Sequence, residues 1–300
     1  MTSKLQDKGV VFALATFCCL LWGSAYPGVK IGYSLFEIQT TGSQILFAGY
    51  RFTLAGILTL IMTSIFYREL IIPKKNELKG MITLGFVQTT LQYIFFYIGL
   101  ANTSGVKGAI INASSTFFAI LFAHILLKNE KMTRIKVIGC VLGMIGVLII
   151  QLNGQKVGSS FSLMGDGFLF LACIASALGI VLTRIFTKKC DSMILTTYQL
   201  IIGGVVLIIV GLTMGGEITQ ITIQGIILIL YLAFLSAVAF TIWAVLLKHN
   251  PIGIIAIYGF MIPIFGVVLS GVFLEEQFLT LRILLALVSV CVGIWIVNKK

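Results

Sequence analysis

Charge is what this 300-residue chain has least of. Only 10% of its residues are Asp, Glu, Lys or Arg, against roughly 25% in soluble domains, while 59% are hydrophobic. No soluble domain can be cut out of it either, because no polar connection exceeds about 15 residues, near the upper limit for ordinary loops. Acidic residues are missing from the depth of every apolar run, and the nearest, Asp166, stands at the start of one. A cation/proton antiporter ordinarily needs a membrane carboxylate that holds either ion in turn, so the deficit counts against exchange of organic cations and leaves proton coupling unsupported. Facilitated diffusion or substrate exchange fits better. Two histidines, both expected near the inner surface, and no Ser/His/Asp set leave little from which to build an enzyme. There is no Walker loop, so ATP does not drive the protein directly. The six cysteines (Cys18, Cys19, Cys140, Cys173, Cys190 and Cys291) have no metal-like spacing. They read as buried packing residues, with Cys190 a free thiol in a loop, and neither metal nor cofactor is implied.

What the chain does have is apolar length. Ten runs can be marked, at 10–29, 45–66, 81–100, 106–127, 135–152, 163–186, 194–212, 224–247, 252–274 and 281–297. A bilayer core about 30 Å thick takes about 20 residues of helix, and lipid excludes exposed irregular backbone, so each run is expected to be a transmembrane α-helix. The first run has no small-residue cleavage site after it and is about the length of a span, which favours a retained helix over a signal peptide.

The net charge of +11 would suggest nucleic acid in a soluble protein. Its placement gives another answer. With a cytoplasmic amino terminus, sixteen Lys and Arg fall on inner segments and four, Lys30, Lys107, Lys156 and Arg282, on outer ones. That bias puts both termini in the cytoplasm and makes the basic charge a topology signal.

The chain also repeats itself. The stretch 117–150 returns at 263–297, with Glu130 on Glu276, Thr133 on Thr280, Val141 on Val288 and Gly146 on Gly293. Tyr50 falls on Tyr198 and Gly56 on Gly204 at one constant offset; more weakly, Cys19 falls on Cys173 and Lys30 on Arg184. The expected fold is therefore an all-α membrane protein of ten helices in two five-helix repeats, 1–152 and 153–300. An odd number of crossings inverts the second copy, the architecture of carriers that alternate access around a site between their halves.

Trp22-Gly23-Ser24-Ala25-Tyr26-Pro27 with Lys30, Arg51-Phe52, the turn 130–133 before Gly146, and Pro263 thirteen residues ahead of Glu276 resemble the EamA-type branch of the drug/metabolite transporter superfamily. The likeness runs over essentially the whole chain. It implies a ten-helix plasma-membrane transporter, commonly an exporter of amino acids or related metabolites, with helices 5 and 10 peripheral. Phe117 departs from the pattern, standing where Pro263 stands in the second repeat, so a kink like the one Pro263 could give helix 9 is not expected of helix 4.

Transport requires a polar lining at mid-depth. Helix 3 offers Gln88, Thr89, Thr90, Gln92 and Tyr93, with Gln88 and Gln92 on one face; helix 4 offers Asn112, Ser114, Ser115 and Thr116, with Asn112, Ser115 and Thr116 likewise on one face. The same residue types also serve as interhelical glue. Trp22, Tyr26, Trp243 and Tyr258 are candidate pocket walls, Tyr258 because it aligns with Asn112, though interfacial aromatics look the same in sequence. Arg51 is a fixed cation inside helix 2. It can attract a substrate carboxylate or pair with Glu37, Glu275 or Glu276. The implied partners are a small-molecule substrate and the lipid bilayer, without nucleic acid; a homodimer is left open. A drug exporter, or a non-transport scaffold or lipid-handling protein, are the rival readings.

Overall fold

A computed structural model describes residues 4–151, 161–276 and 280–298. The 152/153 junction of the two expected repeats and Lys156 lie outside those residues. Each apolar run becomes a helix: α1 (Lys8–Leu35), α2 (Thr41–Tyr67), α3 (Lys75–Ala101), α4 (Gly105–Leu126), α5 (Arg134–Gln151), α6 (Leu163–Phe186), α7 (Ser192–Thr213), α8 (Ile223–His249), α9 (Ile252–Phe273) and α10 (Leu281–Asn298). No strand occurs among the described residues. Eight of these helices, α1–α4 and α6–α9, are long and apolar enough to cross a membrane.

Several helices outrun the apolar stretches that announce them, because polar side chains cap the unpaired N–H groups of their first turns. Asp7 accepts from Gly9 and Val10 ahead of α1, Thr40 from Ser43 ahead of α2, Ser104 from Lys107 ahead of α4, and Asp191 from Met193 and Ile194 ahead of α7. Lys30, expected in an outer connection, lies inside α1, which runs on to Leu35.

Glycine sets the closest contact. On α2 a Cβ added to Gly56 would lie 2.7 Å from the backbone nitrogen of Ile201, and on α7 one added to Gly204 would collide with that of Thr53. The two contacts are reciprocal: at the offset of 148 that puts Gly56 on Gly204, Thr53 falls on Ile201. The backbones of α2 and α7 touch where other residues would hold them apart, which maximises dispersion where lipid gives no hydrophobic drive. α1 approaches α9 in the same way, since a Cβ on Gly23 would be 2.6 Å from that of Phe265. α5 and α10 pack mainly against each other, away from the other eight helices' centre.

Four helices depart from regularity, α6 among them with a π-helical first turn at Leu163–Gly167. α3 passes through a π-helical turn at Gly85–Leu91. α4 is interrupted at Asn112, and α9 at Gly259 and Phe260. The break in α4 corrects the expectation drawn from Phe117. No proline is needed, because both the backbone N–H and the hydroxyl of Ser115 donate to the Asn112 carbonyl (2.9 and 2.7 Å), tightening the turn to an i→i−3 pattern. In α9, Gly259 and Ile262 make similar short-range bonds, and Pro263, without an N–H, leaves the Gly259 carbonyl unclaimed by the usual partner four residues on.

The cysteines divide. Cys18, Cys19, Cys173 and Cys190 are buried free thiols, whereas Cys291 is exposed on the outer face of α10, against the expectation of a packing role. The side chain of Cys140 is not among those described. Cys190 does lie in the α6–α7 connection, where burial, then the carboxylate of Glu77, push its thiol up to about 12.

Candidate functional site

A cavity lies between the two halves, with about 740 Å³ of space not occupied by atoms, its mouth included. α1 contributes Trp22, Ala25 and Tyr26; α2 Arg51; α3 Gln88, Gln92, Tyr93 and Phe96; α4 Asn112, Ser115 and Thr116; α6 Ser176 and Ile180; α8 Phe240 and Trp243; α9 Ala256, Gly259 and Ile262. No described residue of α5 or α10 is among its lining.

The aromatic wall is built edge to face. Trp22 meets Trp243 at 5.0 Å and Phe240 at 5.5 Å between ring centroids, and Tyr26 meets Phe96 at 5.5 Å. Their positions follow from close helix approach: a Cβ on Gly23 or Gly28 would collide with Phe265 or Leu232, so α1 is pressed onto α8 and α9 and its Trp22 and Tyr26 turn into the cavity.

Arg51 is 1% exposed. Its Nε donates to the Leu232 carbonyl (3.2 Å) and to the Ser236 hydroxyl (3.0 Å), and its Nη1 donates to the Tyr97 hydroxyl (3.1 Å). The guanidinium carbon is 4.9 Å from the ring centre of Phe52 and 5.9 Å from that of Tyr93. None of the ion pairs that the sequence allowed it, with Glu37, Glu275 or Glu276, forms. Glu276 instead accepts from the backbone of Gly105 and Val106 at the start of α4 (2.8 and 2.7 Å). Glu130, its counterpart in the first half, accepts from Ile252 at the start of α9 (2.8 Å). Each half thus caps an interrupted helix of the other. A buried ion pair does occur elsewhere, Lys107 Nζ to Asp166 at 2.6 Å, so the acid that opens the sixth apolar run answers to a lysine four residues past the α3–α4 turn's Thr103.

The polar candidates are held differently. Gln88 Oε1 accepts from the Thr183 hydroxyl (3.1 Å) and Gln199 Nε2 (3.4 Å), and its stem fills the space above Gly179, so Gln88 is fixed by packing. Gln92 Oε1 and Trp22 Nε1 are buried without a protein partner. Thr89 and Thr90 turn away from the cavity toward Gly203 of α7.

Tyr258 is not brought to the lining. Its ring packs on Phe12 (6.1 Å) and its carbonyl accepts from the Cys19 thiol. The reason is register. Matching the capped starts of the two interrupted helices, Gly105 with Ile252, gives an offset of 147 and places Asn112 on Gly259, which does line the cavity. One residue of error rotates a helical side chain by about 100°. The residues sequence reasoning missed include Ser176 and Ile180, and here a signal was present: the offset that puts Cys19 on Cys173 also puts Trp22 on Ser176 and Tyr26 on Ile180.

Apolar spans surrounding a cavity with a polar and aromatic lining define a multi-pass membrane protein with an internal cavity. The model of the EamA-like transporter family matches residues 8–152 and again 163–299. The chain is similar over 99% of its length to an uncharacterized transporter of Bacillus subtilis strain 168, YvbV, at 30% identity and 94% coverage of that protein. It is similar to the WAT1-related protein At3g02690, chloroplastic, of Arabidopsis thaliana at 25% identity over 92% of this chain and 66% of that one. An uncharacterized transporter of Archaeoglobus fulgidus is 28% identical over 88% of this chain and 89% of its own. A solved crystal structure shares the fold with a TM-score of 0.77 at 12% identity, covering 98% of each chain. The chain belongs to the EamA-like transporter family, a family of membrane transporters.

Proposed function

We propose that the protein is a secondary carrier with ten membrane-spanning helices in two inverted five-helix repeats, residues 1–152 and 153–300, which exports amino acids or related small polar metabolites by alternating access. The observation that carries this reading is the reciprocal capping. Glu276 closes onto α4 and Glu130 onto α9, each across the interface between the halves, at opposite ends of a cavity lined by both. A carrier that exposes its cargo to one side at a time needs one closure at each end, built from equivalent parts. The two basic-rich termini and inner connections support a plasma-membrane orientation with both ends in the cytoplasm.

Counterflow in proteoliposomes tests it. Vesicles preloaded with one of a panel of amino acids and carboxylic acids, at equal pH on both sides, accumulate the labelled compound if a carrier is present. Asn112→Ala and Gln92→Ala reduce that flux while the amount of folded membrane protein stays unchanged. Folded wild-type protein that gives no counterflow with any member of the panel overturns the reading.

A further inference from the structure

Among the described residues, Arg51 is the one charged side chain lining the cavity. Around it, every partner is neutral: a backbone carbonyl, the Ser236 and Tyr97 hydroxyls and two ring faces. Nη2 has no protein acceptor among the described residues. Neutral acceptors orient a guanidinium, but they do not cancel a whole charge in a water-poor interior, and an uncompensated buried ion is costly. The same protein treats its other deeply buried cation differently, giving Lys107 the carboxylate of Asp166 at 2.6 Å. A purely structural arginine on α2 has no reason to face a cavity without an acid.

From this we infer that the cargo itself brings the counter-charge: the transported substrate is an organic carboxylate of net negative charge, held by Arg51, with an apolar body against Trp22 and Trp243. The inference rests on the carrier reading for where cargo sits, and narrows its class from amino acids and related polar metabolites to carboxylates with no compensating ammonium. The bonds from Nε and Nη1 hold the guanidinium plane still, which leaves the Nη2 side to meet a carboxylate oxygen in a fixed orientation. The unpartnered N–H of Trp22 supplies a further donor, and the unpartnered Gln92 oxygen suits a hydroxyl or N–H on the cargo. An amine-bearing cation would place like charge beside Arg51 with no acid in the lining to receive it.

The test uses four probes sharing a benzyl group and differing in charge: phenylacetate, phenylacetamide, phenylalanine and phenethylamine. Two of the chain's three tryptophans line the cavity, so the intrinsic fluorescence of purified wild-type protein in detergent reports occupancy. Phenylacetate is expected to bind saturably and at least tenfold more tightly than phenylacetamide, with phenethylamine weakest. Arg51→Gln removes the preference for the anion over the amide; Arg51→Lys, which keeps the charge without the fork, retains part of it. Equal or tighter binding of the cation, the amide or the zwitterion overturns the inference, as does no saturable response to the anion. The charge series on the wild-type chain needs no variant to fold. Anion binding without counterflow of phenylacetate would leave the inference standing and sink the carrier reading; counterflow of amino acids without anion binding would do the reverse.

Discussion

Glutamine in place of Glu276 separates a latch from a simple helix cap. The Glu276 carboxylate accepts two backbone N–H groups across the interface between halves (2.8 and 2.7 Å). Glutamine keeps one acceptor oxygen and turns its NH2 toward the second donor, so one charge-assisted bond, about 1.5–3 kcal/mol, is lost. If those bonds form only with the outer end shut, removing about 2 kcal/mol shifts the ratio of open to shut by about thirtyfold toward open. Glu130 makes a single such bond, to Ile252, so Glu130→Gln should shift the inner end by a smaller factor, about tenfold. The assay is the reaction rate of a single cysteine at Ser176, in a background without native cysteines, with a membrane-impermeant thiosulfonate applied to one side at a time. Glu276→Gln is expected to speed labelling from outside and slow it from inside, and Glu130→Gln to do the opposite. Unchanged rates in folded variants, or both variants opening the same side, would refute the latch.

Other consequences follow from packing and charge. Gly204→Ala drives a Cβ into the Thr53 backbone and should cost about 1–3 kcal/mol, seen as a lower Tm in detergent; an unchanged Tm means α2 and α7 are not in contact as described. Removing Asp166 alone strands Lys107 and should cost about 3–5 kcal/mol, whereas Lys107→Met with Asp166→Leu recovers most of it, and a double-mutant cycle in thermal unfolding measures the coupling. Cys190, with its thiol raised from 9.0 to about 12, is almost wholly protonated at pH 8, so alkylation by iodoacetamide should quicken about tenfold per pH unit beyond pH 9. A rate that levels near pH 9 contradicts the burial assigned to it. The sign for stability runs the same way: because the folded pKa is raised, the protonated thiol's contribution is full below about pH 9 and is lost as pH rises toward 12.

Sequence by itself determined the class of structure. A chain with 10% charge and ten apolar runs has one way to satisfy its backbone in lipid, so helices, their number among the described residues and their order follow from composition and length. The duplication was legible too, because equivalent residues sit at fixed offsets and identity survives in Glu130 and Glu276 or Gly56 and Gly204. Even cavity positions such as Trp22, Tyr26, Gln92 and Asn112 could be proposed, since polar and aromatic side chains at mid-depth need a reason to be there. Register and partners belonged to the tertiary structure. Sequence put Tyr258 opposite Asn112, and one residue of helical phase put Gly259 there instead. It allowed Arg51 an acid on the outer turns, while the packing of α2 against α8 and α3 gave it Ser236 and Tyr97 and sent Glu276 to the start of α4. Spacing along a chain fixes which face of its own helix a side chain shares, but a partner on another helix depends on rotation and approach, and these are set by where glycines let backbones meet.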